Sequence, residues 1–157
     1  MRARRHMRGF GMVEFALLAP VAFLLLYAIT ELGRAGYDYS VVASSAREGA
    51  RAAVAAQEAS KSASQIQADV INAARNSLGG GVVLDTSQVY SLAQCTPPAG
   101  KARVCMSPSG STKPGGGANP QVKVQVTYAF QPLVGLVSNV IGSSITLSST
   151  TTMTTEY

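Results

Sequence analysis

Phe10 to Thr30 is a 21-residue apolar run that carries one charge, Glu14. As a helix it measures about 31 Å, close to the roughly 30 Å hydrocarbon core of a bilayer. A carboxylate inside such a segment costs roughly 2.5–3.5 kcal/mol on insertion scales. A chain that keeps Glu14 there is expected to use it. Four arginines, Arg2, Arg4, Arg5 and Arg8, precede the run. A secretory signal peptide has a shorter apolar region and a small-residue cleavage site after it. This run ends in Tyr27-Ala28-Ile29-Thr30-Glu31-Leu32, without such a site. The Arg4-Arg5 pair lacks the context of a twin-arginine signal. An uncleaved anchor over residues 10–30 is the expectation.

Direction follows from the bias in lysine and arginine. Residues 1–9 hold four arginines and no acid, while residues 31–51 hold three charges of each sign. The N-terminus is expected in the cytoplasm, and residues 31–157 are expected to face outward. Pro20 lies within the apolar helix, has no N–H to donate and crowds the carbonyl of Ala16. It reads either as a tolerated membrane proline or as a kink.

The net charge of +5 is a property of topology. Four of the thirteen Lys and Arg residues precede Gly9, which leaves nine bases against eight acids, a net +1. No basic cluster interleaved with aromatics follows, so nucleic-acid binding is not expected. Cys95 and Cys105, an even pair in an outward-facing domain, point to a disulfide over two free thiols. A metal site needs more ligands, and the one histidine, His6, lies in the leader.

Beyond the run, Leu32, Ala35, Tyr39, Val42, Ala46, Ala50 and Ala53 recur at three- and four-residue spacing, so the helix is expected to continue. Gly33 and Gly36 mark either a bend at the membrane exit or two tolerated glycines. Ser62 or Ser64 is placed to cap a second helix with a stripe of Ile66, Val70, Ala73, Ala74 and Leu78. Gly79-Gly80-Gly81 is expected to end it in a left-handed cap. Val82–Leu84 and Gln88–Ala93 are candidate strands. Ser107–Pro120, rich in Pro and Gly, reads as an exposed loop. Gln121–Phe130 alternates through Val122, Val124, Val126, Tyr128 and Phe130 and is the clearest strand. Leu133–Ile141 suits a short helix, and Ile145–Tyr157 a Thr-rich strand. The expected class is α+β. A long N-terminal helix, helical over 31–78 beyond the anchor, is followed by a strand-rich 82–157 forming an antiparallel sheet.

Arg8-Gly9-Phe10-Gly11-Met12-Val13-Glu14-Phe15-Ala16-Leu17-Leu18-Ala19-Pro20, the apolar run, and Glu31-Leu32-Gly33-Arg34 together resemble the TadE-like family. These are minor pilins or pseudopilins of Tad/Flp tight-adherence pilus systems, related to type IV pilins. The resemblance covers about residues 8–51. It implies that residues 1–9 form a leader removed by a prepilin peptidase between Gly9 and Phe10. Glu14 then occupies position five of the mature chain, the place of the pilin glutamate. The implied partners are that peptidase, other pilin or pseudopilin subunits, the inner-membrane assembly machinery and the lipid bilayer. No cofactor and no small-molecule substrate are implied. Phe10 departs from the polar residue frequent there in the family. Short major pilins of the Flp type usually carry Glu-Tyr, whereas this chain has Glu14-Phe15 and more than a hundred further residues, which suits a minor component.

The residues themselves support the same chemistry. A cut after Gly9 leaves an ammonium on Phe10 that Glu14 of a neighbouring subunit can pair with; a Glu14 at the interface can instead be simply solvated. A membrane-anchored binding or scaffold module that does not polymerise is the alternative. An enzyme is not expected. Beyond the leader there is no histidine, no paired carboxylates at helical spacing and no nucleophile motif, and Gly79-Gly80-Gly81 lacks the Lys of a phosphate loop.

Overall fold

The computed structural model describes residues 10–79, 81–107, 121–133 and 142–154. The expected leader 1–9, the expected loop after Ser107, the expected helix after Leu133 and the last residues of the expected final strand lie outside them. The chain divides into two compact units, Met1–Arg34 and Ala35–Tyr157. Helix α1, Phe10–Glu58, supplies the described part of the first unit and the opening of the second. Helix α2 spans Ala63–Ser77, and strands β1 (Ala102–Ser107), β2 (Gln121–Phe130) and β3 (Ile145–Thr154) follow. The three strands form one antiparallel sheet in the order β1-β2-β3. The architecture is the α+β arrangement read from the sequence.

In the second unit, α1 buries a face of small residues. Val42, Ala46, Ala50 and Ala53 are fully buried, with Ala56 nearly so. Small side chains bring the helix close to the sheet: a Cβ added at Gly49 meets Val124 Cγ1 at 3.3 Å and Val70 Cγ1 at 3.7 Å. The stripe expected toward the N-terminus is corrected at two positions. Leu32 is 75% exposed and Tyr39 50% exposed. The face that continues back along the helix carries Asp38 and Glu31, both buried. These polar residues hide its direction from an apolar pattern. Gly33 and Gly36 have open space around them, and the helix runs through both.

α1 stops in a Schellman turn. Lys61 N–H donates to Ala56 O at 3.1 Å and Ser60 N–H to Gln57 O at 2.9 Å, which places Ser60 at φ 53°. Helices usually put glycine there. α2 begins directly after. Its N-cap is Ser62, whose N–H donates to Gln65 Oε1 at 3.0 Å, one half of a capping box. Ile66, Val70, Ile71 and Ala74 face the core, and Ser45 Oγ donates to Ala74 O at 3.1 Å to tie the two helices together. The glycine cap is corrected. Leu78, in extended backbone, ends α2 by donating to Ala74 O and Arg75 O. The left-handed residue, Gly81 (φ 93°), comes three positions later.

β2 presents Val122, Val124, Val126, Tyr128 and Phe130 to the core, all buried. β1 adds Ala102, Val104 and Met106 to the same face. The candidate strands at 82–84 and 88–93 are also corrected. Only isolated parallel bridges form there, Leu84 with Ala102 and Tyr90 with Cys105, and Leu92–Gln94 is a short 3-10 turn. The segment is pinned along β1 by Arg103. Its guanidinium meets Asp85 Oδ2 at 2.6 Å, donates to Gln94 O at 3.1 Å and lies 4.3 Å from the centre of the Tyr90 ring. The clamp adds to the isolated backbone hydrogen bonds that the segment makes with β1.

Cys95 and Cys105 are bonded, with Sγ atoms 2.07 Å apart and Cα atoms 5.8 Å apart. The bond fastens the end of that segment to β1, and Thr127 Oγ1 donates to Cys95 O at 2.9 Å. Between the cysteines the chain turns at Gly100 (φ 70°), whose N–H donates to Ala129 O at 2.9 Å.

Three stability measurements follow. Ile66→Ala, at a site 2% exposed, is expected to lower unfolding free energy by about 2–5 kcal/mol in urea titrations of the detergent-solubilised protein. Ser60→Gly is expected to raise it by about 1 kcal/mol, because it removes the left-handed strain from the Schellman turn. Reduction of the disulfide is expected to lower it by about 2.7 kcal/mol in the chain-entropy account. Thiol labelling of the denatured protein should find no free cysteine before reductant and two after.

Candidate functional site: the N-terminal helix

The first unit consists, in its described part, of a bare helix. Met12, Val13, Phe15, Leu17, Leu18, Val21, Phe23 and the residues on to Ile29 are exposed. They cover every side of the helix, as expected of a segment whose solvent is hydrocarbon or other helices. This helix is long and apolar enough to cross a membrane. Large exposed apolar area of this kind marks a surface for a membrane or for other proteins.

Glu14 lies in the second turn of α1 and is exposed. Phe10 is the first residue of the same helix, so the two Cα atoms are separated by about 6 Å of axial rise. Gly9 lies outside the described residues. Pro20 falls one and a half turns beyond Glu14, and the helix continues on both sides of it. The carboxylate and the proline thus share one exposed rod with nothing of the first unit packed over them. An exposed carboxylate in an otherwise apolar rod is available to a cation from outside the chain.

At the other end of the unit the polar residues return in a pattern. Glu31 and Arg34 form an ion pair one turn apart, at 3.5 Å. Asp38 and Ser45 follow Glu31 at seven-residue spacing on the same face, and all three are buried. Sequence reasoning grouped Glu31 and Arg34 as part of a motif but missed the burial of Asp38. The heptad spacing from Glu31 through Asp38 to Ser45 was the signal that marked them as one face.

Elsewhere the second unit offers little chemistry. Among the described residues no three His, Cys, Asp or Glu side chains come together as a metal site. An open groove of about 430 Å³ lies between the end of α2 and residues 82–87. Its one cation, Arg75, donates to Ser87 Oγ at 2.9 Å. It gathers no nucleophile and no acid–base pair. The residues that invite a functional reading are those of the N-terminal helix.

Comparison with known proteins points to the same segment. Residues 9–51 match the family model described as TadE-like protein. No curated protein and no solved structure matches the chain. The matched stretch begins at the glycine before α1 and ends in the buried small-residue face of the second unit. It therefore holds both Glu14 and the Glu31–Arg34 pair. TadE-like proteins are pilin-like and associated with Tad pili. Residues 9–51 are thus similar to the TadE-like family.

Proposed function

We propose that the chain is a minor pilin or pseudopilin that takes part in assembly of a Tad/Flp pilus. The observation that carries this reading is the bare apolar helix with Glu14 in its second turn, lying inside the TadE-like match. Prepilin peptidase cuts between Gly9 and Phe10 on the cytoplasmic face, where the leader's four arginines hold it. The cut removes four positive charges and creates one, the ammonium of Phe10.

The two charges then have complementary positions. Glu14 of an incoming subunit pairs with the ammonium of a neighbour, and the low dielectric around the helices makes the pair directional. An unpaired Glu14 in that setting is penalised, so the pair sets register as the helices pack. Pro20 leaves the carbonyl of Ala16 without its helical donor and gives the rod a point of local give. The second unit stands on the outer side of the membrane, where its disulfide is stable. Its role is structural, through contacts with other pilin-type subunits and with the assembly machinery.

Two experiments test the reading. Intact-mass analysis of the membrane-extracted protein should give a chain beginning at Phe10, and Gly9→Leu should leave the full-length form. A chain that begins after residue 28 would mean a secretory signal and overturn the proposal. Glu14→Ala should insert into the membrane normally and fail to enter filaments, read by immunoblot of sheared surface fibres. Unchanged piliation would favour a membrane-anchored module that does not polymerise.

A further inference from the structure

The two edges of the sheet are finished differently. The outer edge of β1 is occupied. Ala102 N–H donates to Val83 O at 2.7 Å, Asp85 N–H to Ala102 O at 2.7 Å, Tyr90 N–H to Val104 O at 3.0 Å and Met106 N–H to Tyr90 O at 2.9 Å. Among the described residues no strand pairs with the outer edge of β3. Proteins protect such edges with lysine, proline, bulges or short strands. β3 has none of these: ten residues, Ile145–Thr154, without a charge, a proline or a bulge in its pairing to β2.

The sequence of that edge is complementary to itself. Odd-numbered residues of β3 sit opposite the buried residues of β2, so they lie on the core face, and each is only half-buried. Even-numbered residues lie on the opposite face and are exposed. Two copies of β3 set antiparallel, with Ser149 opposite Ser149, keep every residue on its own face. Ile145 then meets Met153, Leu147 meets Thr151, Thr146 meets Thr152 and Ser148 meets Thr150. On the core face the apolar Ile145 and Met153 meet and Leu147 faces a threonine, on the other face hydroxyls meet hydroxyls, and no like charges are opposed. A shift by one residue would place core-face side chains opposite exposed ones.

We infer that β3 is a homotypic docking edge, and that a second copy of this chain pairs with it antiparallel about Ser149 to make a six-stranded sheet. The two-fold axis of this contact stands normal to the sheet. It therefore reverses every direction in the sheet plane, including that of the α1 segment packed along the core face from Val42 to Ala56. The two polypeptides enter their domains from opposite sides. The pairing does not depend on the pilin reading.

The test uses full-length protein in detergent micelles, where both orientations are free. Ser149→Cys is expected to form a disulfide-linked dimer on mild oxidation. Thr146→Cys alone is not, because in this register the two copies of residue 146 lie about 20 Å apart, beyond disulfide reach. A mixture of Thr146→Cys and Thr152→Cys should cross-link with each other. Thr150→Lys, at an exposed position, should abolish the dimer seen by light scattering and keep the far-UV spectrum of the parent. A protein that stays monomeric at every concentration overturns the proposal. So does cross-linking no faster through residue 149 than through residue 146.

Discussion

The close seat of α1 on the sheet is the constraint on which the outer unit depends. With Ala46, Gly49, Ala50 and Ala53 facing Val124 and its neighbours, the helix approaches so near that a single methyl at Gly49 would already be tight. Small side chains bury little area each, so the unit gains its cohesion from closeness and from added ties. The Ser45–Ala74 hydrogen bond, the Arg103 clamp and the disulfide are those ties. Each joins segments that a larger core would hold by area alone.

One helix thus carries two different surfaces. From Met12 to Ile29 it is exposed and, apart from Glu14, apolar on all sides; from Val41 to Gln57 it is buried along one face. The boundary is marked by Glu31, Arg34 and Asp38, polar residues that a helix leaving an apolar medium can hold beside its first packed turn. The TadE-like match spans this boundary and stops within the buried face. The matched segment is the part of the chain that carries both surfaces.

Much of this was legible from residue order, and for physical reasons. The apolar run, the Ser62 cap and the alternation through Val122–Phe130 are local patterns, each written in adjacent residues. The burial of Asp38 was missed: Glu31, Asp38 and Ser45 share a face at seven-residue spacing, but that face is polar there and an apolar pattern does not trace it. β1 was missed because its alternation, Ala102, Val104 and Met106, is short and is interrupted by Cys105, which is buried for a different reason. The neighbouring stretches at 82–84 and 88–93 have strand-like composition, yet they are held by isolated bridges to β1 and by Arg103 rather than by a continuous ladder. No pattern within the segment reports that. At the candidate site, Glu14 and Pro20 could be placed on one helix from spacing alone, whereas Gly9 is known only by its position in sequence.

The continuity of α1 also has a mechanical side. No loop separates the first unit from the second: one helix of 49 residues leads from Phe10 into the packed domain. A pull on the domain is therefore carried by the hydrogen-bond ladder, at about 1.5 Å of rise per residue, with no slack to take up first. Only when turns of the helix open can it lengthen, toward about 3.3–3.6 Å per residue. The ladder lacks one rung where Pro20 offers no donor to Ala16. Load along the helix finds its thinnest support there, within the exposed apolar segment.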